Sequence, residues 1–463
     1  MTHYPSVPEV SDTIAAIATP PGTAGIAVIR VSGPDAITMV GAVFDGTDLT
    51  TAPSHTVHHG YLRGVDGTMI DEVLATVFRE PRSYTGENTV EIGCHGGAAV
   101  TRGVLHSLLA AGARHAAPGE FTRRAFLRGR IDLVQAEAVA DLIHAESRDA
   151  HRASLRQLDG SLSVYVRSIR ERLLEAAAML ELNLDFVEED VSFLGADELH
   201  DLVRDAENRI QDALFSYGTG RLLRDGVRVA LVGPPNVGKS SLLNHMLGSQ
   251  RAIVTDVPGT TRDFLEESLL IGGELFRFID TAGLRHTDDK IEQEGIARTR
   301  GRAEEADVIC VLSETTGGLS AAEDVLAALS PVRPEQRVLR LFTKCDLATP
   351  AAVAAVSDHG IPISALTGTG INGLSDALTD FARSSMGTTE QGAVLVTNAR
   401  HADCLRRGGD ALGRARQALA DGATEEFVAV DIREAIAALG EIIGVVTSDD
   451  ILNGIFSRFC IGK

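Results

Sequence analysis

The spacing of hydrophobic residues changes along the chain. Up to about residue 130, short apolar or alternating runs typical of β-strands are separated by Gly- and Pro-rich turns. These runs are Ile26–Val31, Val73–Phe78 and Val90–Cys94. Beyond residue 131, apolar residues recur at the spacing of an amphipathic helix, most clearly at Ile169, Leu173, Ala177, Leu180 and Leu184. The pattern predicts a compact α+β domain over residues 1–130 and long helices over residues 131–225.

Strand-length apolar runs return in the middle of the chain. They are Arg228–Val232, Leu275–Ile279, Val308–Leu312, Val338–Phe342 and Ile361–Ile363. Because helix-like stretches separate most of these runs, we expect a largely parallel sheet covered on both faces. A helical stripe then resumes at Ile432, Ile436, Leu439 and Ile443. The sequence therefore predicts a multidomain fold, in which an α/β domain of residues 226–385 is inserted into an all-α domain made of residues 131–225 and 386–463.

Composition narrows the class of protein. The chain has 463 residues and a formal net charge of −21, which argues against broad electrostatic wrapping of nucleic acid but leaves RNA open as a substrate bound through a local patch or a partner. No apolar run reaches the roughly 20 residues that span a bilayer, and residues 1–11 do not resemble a signal peptide. The five cysteines are scattered without a C-x-x-C pair, so neither a disulfide framework nor a zinc site is indicated. We expect a cytoplasmic protein with no membrane partner.

The clearest chemical motif is a phosphate-binding loop. Residues Gly233–Ser240 match G-x-x-x-x-G-K-[ST] directly after one predicted strand and before a helix. In that context backbone N–H groups close around phosphates, Lys239 reaches the β and γ oxygens, and the Ser240 hydroxyl ligates Mg²⁺. The alternative is an ordinary Gly-rich turn, which the strand–loop–helix context disfavours.

Three further elements follow in the order of a Ras-like α/β P-loop GTPase. Asp280–Gly283 (D-T-A-G) supplies a carboxylate for the Mg²⁺ shell and an amide for the γ-phosphate. In Thr343–Asp346 (T-K-C-D), Asp346 can accept two N–H groups of guanine while Lys344 packs over the base, which selects GTP over ATP. Ser364, Ala365 and Leu366 complete the base pocket. This third element usually begins with Asn, so Thr343 leaves the strength of guanine binding open.

The residue after the D-T-A-G element is Leu284, where Ras-type enzymes carry the glutamine that orients water, so catalysis must come from elsewhere or be slow. Further motifs are Ala18–Gly22, Gly93–Gly97, Pro118–Thr122, Gly259–Asp263, Asp280–Arg285 and the Cys460–Lys463 (C-I-G-K) sequence. Together these motifs resemble the MnmE/TrmE family of tRNA-modification GTPases, and the likeness covers nearly the whole chain.

The resemblance implies a potassium-dependent GTPase site. Asn236, backbone oxygens around Thr255 and Val257, and Thr260 would hold K⁺, and Thr261 would join Ser240 as a Mg²⁺ ligand. Glu292 would orient the attacking water; the alternative is a solvated carboxylate on a switch helix. The full set of implied GTP contacts is Asn236, Val237, Gly238, Lys239, Ser240, Ser241, Thr255, Asp256, Val257, Pro258, Gly259, Thr260, Thr261, Asp280, Thr281, Ala282, Gly283, Thr343, Lys344, Asp346, Ser364, Ala365 and Leu366.

The resemblance also implies that residues 1–130 bind 5-formyl-tetrahydrofolate or a related one-carbon folate and mediate homodimerisation. The matching folate positions are Arg30, Glu91, Arg130 and Lys463. A carboxylate such as Glu91 can pair with a pterin edge, and the arginines suit glutamyl carboxylates. Without the resemblance, Arg30 and Glu91 would be residues on alternating strand faces. Cys460 is either reactive or a small buried apolar residue, and His95 and His144 have no companions at metal-ligand spacing.

By resemblance, the chain acts with an FAD-dependent partner of the MnmG/GidA type to modify C5 of the wobble uridine (U34) of certain tRNAs to carboxymethylaminomethyluridine-type products. Two other functions are kept open: a regulatory GTPase switch in ribosome assembly, and an interaction scaffold with a degenerate nucleotide site. The first predicts an adjoining basic RNA-binding module, which the sequence does not show. Intact Lys239, Ser240 and Asp280 argue against the second.

Overall fold

The computed structural model describes residues 12–185, 195–249, 266–280, 301, 303–329, 331–387, 394–457 and 459–463. The chain divides into two compact units. The first comprises residues 1–143, 156–212 and 403–463, and the second comprises residues 144–155 and 213–402. The predicted combination of an α+β fold, helices and an inserted α/β fold is confirmed. The boundaries at residues 130, 225 and 385 stay predictions.

The described strands and helices are as follows. The strands are β1 Ile14–Ile17, β2 Ala24–Ser32, β3 Phe44–Gly46, β4 Thr56–Arg63, β5 Met69–Phe78, β6 Thr89–Gly96, β7 Arg114–His115, β8 Val227–Val232, β9 Glu266–Ile271, β10 Glu274–Asp280, β11 Val308–Glu314, β12 Arg337–Thr343 and β13 Ile361–Pro362. The helices are α1 Ala36–Val43, α2 Ala98–Ala110, α3 Glu120–Leu127, α4 Leu133–Ile143, α5 Arg148–Leu158, α6 Ser161–Asp185, α7 Ala196–Phe215, α8 Tyr217–Asp225, α9 Lys239–Ser249, α10 Gly318–Leu329, α11 Pro350–Ser357, α12 Ile371–Met386, α13 Ala399–Ala420, α14 Glu425–Ile443 and α15 Asp449–Phe456.

A mainly antiparallel sheet organises the first unit, with strand order β3-β4-β5-β6-β2-β1-β7. Alternation sets its two faces: along β5, Val73, Ala75 and Val77 are buried in the core, whereas Leu74 is half exposed. Residues of α1 and α2 contribute to the same core. The three strand runs predicted for residues 1–130 lie in β2, β5 and β6 and are confirmed.

The helical pattern of the first unit also holds. Ile169, Leu173, Ala177 and Leu180 are buried along α6, and Ile432, Ile436, Leu439 and Ile443 are buried along α14. Stripes at this spacing put apolar side chains on one face of each helix, which is then buried against its neighbours. Among the described helices, none is long and apolar enough to cross a membrane.

The second unit is built on a six-stranded sheet of order β13-β12-β11-β8-β10-β9. Both of its faces are covered: along β8, Val229 and Leu231 belong to one apolar cluster, and Ala230 and Val232 to another. All neighbouring strands are parallel except β9, which runs antiparallel to β10. The prediction of a largely parallel sheet is therefore confirmed, but it missed the edge strand β9.

A two-glycine turn connects β9 to β10. Gly272 and Gly273 both have positive φ, 63° and 93°, the conformation of a type I′ hairpin turn that matches the right-handed twist of the strands. The Gly-Gly pair was therefore the sequence signal for β9. The signal was weak because the strand begins with the polar residues Glu266, Glu267 and Ser268.

Candidate functional site

The predicted phosphate-binding loop joins β8 to α9. A Cβ on Gly233 would lie 2.5 Å from the backbone oxygen of Leu312, so the close approach of β8 and β11 requires glycine there. Asn236 (φ 61°) and Gly238 (φ 107°) adopt positive φ values, which turn the backbone into the helix. The Lys239 ammonium donates to the backbone oxygens of Gly233 (2.8 Å) and Pro234 (3.0 Å). The loop thus places a cation over its own carbonyls, where it can exchange them for phosphate oxygens.

The residues next to Lys239 differ in which of their groups can contact a nucleotide. The Val237 side chain is buried in the apolar core of the unit, so only its backbone can contact a nucleotide. Ser240 and Ser241 are exposed at the start of α9. A helix N-terminus presents unpaired N–H groups and a partial positive charge, which favour an anion.

The parallel strands bring the predicted motifs to one sheet edge. Asp280, the last residue of β10, is paired with Leu231 of β8, two residues before Gly233. On the other side of β8, Glu314 at the end of β11 is paired with Thr343 at the end of β12. Because the carboxyl ends of parallel strands lie along the same edge, the Mg²⁺, phosphate and base elements converge there.

The base-recognition element follows β12. Thr343 is buried, and its hydroxyl donates to the backbone oxygen of Ser313 on β11 (3.2 Å). Lys344 has a left-handed backbone (φ 56°), and its ammonium pairs with Glu314 at 2.5 Å. Asp346 lies in a single 3-10 turn, is exposed, and has no hydrogen bond or ion pair with another described residue. Its carboxylate is therefore open to a ligand with two N–H donors.

A second base element lies next to the first. The N–H of Ile363 donates to Phe342 (2.8 Å), and the N–H of Cys345 donates to Ile363 (3.2 Å), which ties the two loops together. Ser364 is buried and acts within its turn, accepting from the N–H of Thr367 at 3.2 Å. By contrast, Leu366 is 85% exposed. The start of this loop is thus held by hydrogen bonds, whereas the apolar side chain of Leu366 is open to solvent.

Part of the predicted nucleotide site lies outside the described residues. The side chain of Asp280 is among these groups, although its backbone is described as the end of β10. The others belong to the segments that follow α9 and β10: Thr255, Asp256, Val257, Pro258, Gly259, Thr260, Thr261, Thr281, Ala282, Gly283 and Glu292.

A second group of predicted residues meets in the first unit. Arg30 on β2 and Glu91 on β6 are direct cross-strand partners. Nε and one terminal nitrogen of Arg30 donate to the same oxygen, Oε1 of Glu91, at 2.9 and 2.7 Å. The other oxygen, Oε2, accepts no hydrogen bond from a described residue. The Arg30 guanidinium also lies over the rings of Tyr84 (4.9 Å) and Phe121 (5.6 Å).

The C-terminal motif adjoins this pair. A Cβ on Gly462 (φ 99°) would lie 2.5 Å from the backbone oxygen of Ile17, so glycine allows the tail to run against β1. Lys463 is partly buried, and its pKa is lowered, first by burial and then by the positive charge of Arg30, with Glu91 opposing the shift. The structure thus brings Arg30, Glu91 and Lys463 together.

The fourth predicted folate residue, Arg130, is exposed and lies close enough to act on Tyr84 through its charge. Burial raises the pKa of Tyr84, and a hydrogen bond with Thr122 and the charges of Arg30 and Arg130 oppose that shift. Tyr84 was not singled out from the sequence, because no motif marks it. The motif Pro118–Thr122 contains the other aromatic neighbour, Phe121.

The Pro118–Thr122 motif also contains Glu120, which forms ion pairs with Arg114 and Arg124 in a partly buried network. Burial alone would raise the pKa of Glu120, but hydrogen bonds from Arg114, the backbone of Ala117, and Arg124 lower it. Arg124 is 2% exposed and also contacts Glu87, which is equally buried, at 3.3 Å. A buried charge is tolerated only with such partners, so this network fixes the start of α3, and with it Phe121, below Arg30.

The remaining candidate side chains are Cys460 and His95. Cys460 is exposed, so the alternative of a buried apolar residue is wrong. His95 is exposed and pairs with Asp71 at 2.8 Å. Within the described parts of the chain, no group of three or more His, Cys, Asp or Glu side chains is arranged to hold a metal ion.

Comparison with known proteins gives matches over almost the entire chain. A family model described as the MnmE helical domain matches residues 133–460, and one described as the GTP-binding protein TrmE N-terminus matches residues 13–130. A tRNA modification GTPase MnmE from Salinibacter ruber (strain DSM 13855 / M31) is 47% identical over 98% of this chain and 99% of its own length. Another from Chlorobium chlorochromatii (strain CaD3) is 42% identical over 98% of each.

Among solved structures, the G domain of the FeoB iron transporter from T. maritima is 26% identical, with a TM-score of 0.26, and the match covers 34% of this chain and 99% of that one. The helical-domain model and the curated relatives decide the assignment, since each covers the helical segments on both sides of the inserted α/β fold. The chain belongs to the MnmE family of tRNA modification GTPases.

Proposed function

We propose that the chain hydrolyses GTP at the carboxyl edge of the β8-centred sheet in order to drive modification of C5 of U34 in certain tRNAs, giving carboxymethylaminomethyl-type products. The observation that supports this most is the convergence of the phosphate-binding loop, the end of β10 and the Thr343–Asp346 element at one edge, in a chain whose relatives are tRNA modification GTPases. Family membership implies GTP and Mg²⁺ binding.

In the proposed site, each part of the nucleotide has its own partner. Lys239 exchanges its loop carbonyls for the β- and γ-phosphate oxygens. The exposed Ser240 hydroxyl, together with Thr261, would hold Mg²⁺, which neutralises phosphate charge. Asp346, open among the described residues, accepts the two N–H groups of guanine, and adenine offers the wrong donors.

Hydrolysis would not use the Ras-type glutamine, because Leu284 stands in its place. Glu292 would orient the attacking water instead. Asn236, with Thr255, Val257 and Thr260, would hold K⁺ beside the phosphates, where a cation offsets charge that develops in the transition state. The positive φ of Asn236 is compatible with this role, because asparagine adopts that conformation more readily than most residues and so provides a polar side chain at the turn of the phosphate loop.

The first unit would bind a one-carbon folate such as 5-formyl-tetrahydrofolate. Glu91 has one oxygen engaged by Arg30 and a second oxygen without a described donor, so it can accept from the N–H groups of a pterin. Arg30 and Arg130, with Lys463 beside them, would supply positive charge for glutamyl carboxylates. When bound, the folate would supply the one-carbon unit, while this chain orients it.

The chain would work in the cytoplasm as a homodimer with an FAD-dependent partner of the MnmG/GidA type. Its net charge of −21 is unfavourable for holding tRNA over a broad surface, which fits a complex in which the partner supplies much of the tRNA contact. GTP turnover would drive a conformational cycle and not the carbon chemistry itself.

The test is mass spectrometry of nucleosides from total tRNA of a strain lacking the protein. We expect C5-aminomethyl-type uridines to disappear, to return with the wild type, and to stay absent with Lys239→Ala. Arg172→Ala is the control, because it also removes a cation, one that pairs with Asp205 on the helices at 2.6 Å. An unchanged nucleoside profile in the deletion strain would contradict the modification role. It would leave the assignment as a GTPase standing, as the ribosome-assembly alternative requires.

A further inference from the structure

Three consecutive residues where β11 ends contact three consecutive residues where β12 ends, and in each set the third residue lies just beyond the strand. The Thr343 hydroxyl donates to the backbone oxygen of Ser313 (3.2 Å), and Glu314 pairs with Lys344 (2.5 Å). The Thr315 hydroxyl donates to the backbone oxygen of Thr343 (2.8 Å) and lies 3.2 Å from that of Phe342. The last two residues of β11 and the first residue after it are thus each bonded to the end of β12 or to Lys344, beyond the backbone pairing of the strands.

These contacts surround Lys344, whose backbone has a strained, positive φ. Among the described residues, three other than glycine have positive φ: His55, Asn236 and Lys344. Two of the three belong to the proposed nucleotide site, which is where backbone strain tends to persist. The Thr315 hydroxyl holds the peptide oxygen immediately before Lys344, and Glu314 holds the far end of the Lys344 side chain. Both ends of this lysine are therefore fixed by residues of β11 and its following turn.

We propose that Glu314 and Thr315 are positioning residues for guanine, and that they replace the support that the base-recognition element usually receives from its first asparagine. The Thr343 side chain is shorter than that of asparagine, and its hydroxyl already donates to the backbone oxygen of Ser313 on β11. Glu314 acts through Lys344: it directs the ammonium away from the base, so that the alkyl stem lies across the position of the ring. The inference rests on the proposed guanine site and adds two residues to it.

The burial of the two groups separates this role from an ordinary stabilising pair. The side chains of Glu314 and Lys344 are 46% and 38% exposed, and ion pairs this exposed contribute little to folding. The buried Thr315 is different, because its loss removes a buried hydrogen bond. Glu314 therefore gives the cleaner test, since its replacement should affect nucleotide binding and leave folding unchanged.

The experiment compares Glu314→Gln with Glu323→Gln in the full chain. Glu323 is the matched control, because it forms an equally exposed pair with Arg340 (2.9 Å) in the same fold. For Glu314→Gln we expect KM for GTP and Kd for GDP to rise roughly two- to fivefold, with kcat and the melting temperature unchanged. ITP, which lacks the 2-amino group, should lose affinity by the same factor, since the lysine stem covers the ring without reading that group. Glu323→Gln should behave as the wild type.

Two further variants make the outcome decisive. Asp346→Asn tests the guanine site itself, because it should shift preference from GTP towards XTP. If Asp346→Asn changes base preference while Glu314→Gln binds like the wild type, the inference is wrong and the guanine site stands. If neither variant changes binding, the guanine site is wrong and the inference fails with it. Thr343→Asn should reduce the penalty of Glu314→Gln, and strictly additive effects would contradict the proposed replacement.

Discussion

Arg30 and Glu91 face each other across β2 and β6, and the arginine places two of its nitrogens on a single carboxylate oxygen, at 2.9 and 2.7 Å. The geometry is asymmetric. It fixes the Glu91 carboxylate through Oε1 and leaves Oε2 without a donor among the described residues. A carboxylate held in this way is oriented in advance for a ligand with N–H groups, so little freedom is lost on binding.

Glu91→Gln should weaken binding of 5-formyl-tetrahydrofolate about tenfold or more, because a charged acceptor becomes a neutral amide. GTP hydrolysis in the absence of folate should be unchanged. Isothermal titration with the folate checks the first statement and steady-state turnover the second. Glu72→Gln is the matched control: it lies on the same sheet and pairs with exposed His59 at 2.6 Å. Equal affinities for all three proteins would remove Glu91 from the folate site.

The lowered pKa of Lys463 makes both stability and folate binding depend on pH. The pKa is below the ordinary value of 10.5 because the charged ammonium is partly buried beside Arg30. The folded state therefore holds the proton less tightly than the unfolded state. The resulting cost to folding is complete below the lowered pKa and is relieved as pH rises from there towards 10.5.

We accordingly expect Lys463→Met to raise the free energy of unfolding near neutral pH and to lose that advantage as pH rises through the lowered pKa. Urea unfolding at a series of pH values measures this. Lys463→Arg keeps its charge throughout, so its difference from Lys463→Met should persist at high pH. Folate affinity of the wild type should fall over the same rise in pH, since the neutral amine no longer attracts a carboxylate. A pH-independent difference between the wild type and Lys463→Met would contradict the assignment.

Turnover should depend on potassium through Asn236. At equal ionic strength, we expect the wild type to hydrolyse GTP faster in KCl than in NaCl, and Asn236→Ala to lose most of that difference. Steady-state phosphate release measures both. Asn244→Ala, on α9 beyond the phosphate loop, is the control and should keep the response. A wild type that turns over equally in both salts would exclude the potassium site.

Glu292→Ala should abolish turnover while leaving GTP affinity close to that of the wild type, because the residue is proposed to orient water and not to hold the nucleotide. Binding of a fluorescent GTP analogue and single-turnover hydrolysis separate the two effects. Glu294→Ala removes a neighbouring carboxylate and serves as the control. Normal single-turnover rates in Glu292→Ala would favour the alternative of a solvated carboxylate.

Two glycines on α8 should respond in opposite ways to alanine. A Cβ on Gly220 would lie 2.1 Å from the backbone oxygen of Val396, whereas a Cβ on Gly218 meets nothing within 4 Å. The Val396 segment is held there because its N–H donates to Ser216 at 3.0 Å. Gly220→Ala should therefore destabilise the fold by about 1–3 kcal/mol, and Gly218→Ala should be neutral or stabilising by up to about 1 kcal/mol.

Thermal or urea unfolding of the two variants checks the pair. Equal stabilities would show that α8 can move away from Val396 without cost. Because α8 leads directly into β8 and the phosphate loop, GTP turnover of Gly220→Ala below its melting point is a useful second measurement. Turnover should follow the folded fraction, since neither glycine belongs to the predicted nucleotide-binding motifs.

The sequence alone determined the local parts of this protein. The phosphate loop, D-T-A-G, T-K-C-D and the strands that precede them are contiguous segments, whose spacing is dictated by the short distance over which a loop can enclose phosphate or base. The helical stripes of α6 and α14 followed for a similar reason, since burial of one face imposes its period on the residues. The family resemblance added the predicted binding sites for potassium and folate.

The tertiary structure decided which distant residues meet. Arg30 pairs with Glu91, 61 positions away, and reaches Gly462, 432 positions away; without the resemblance, the strand pattern gave no reason to join them. Tyr84 beneath Arg30, the buried Arg124–Glu87 pair and the Glu314–Lys344 contact were likewise not predicted. The physical reason is that register between strands and contacts between loops are fixed by packing of the whole unit, whereas residue spacing encodes only the geometry of each segment by itself.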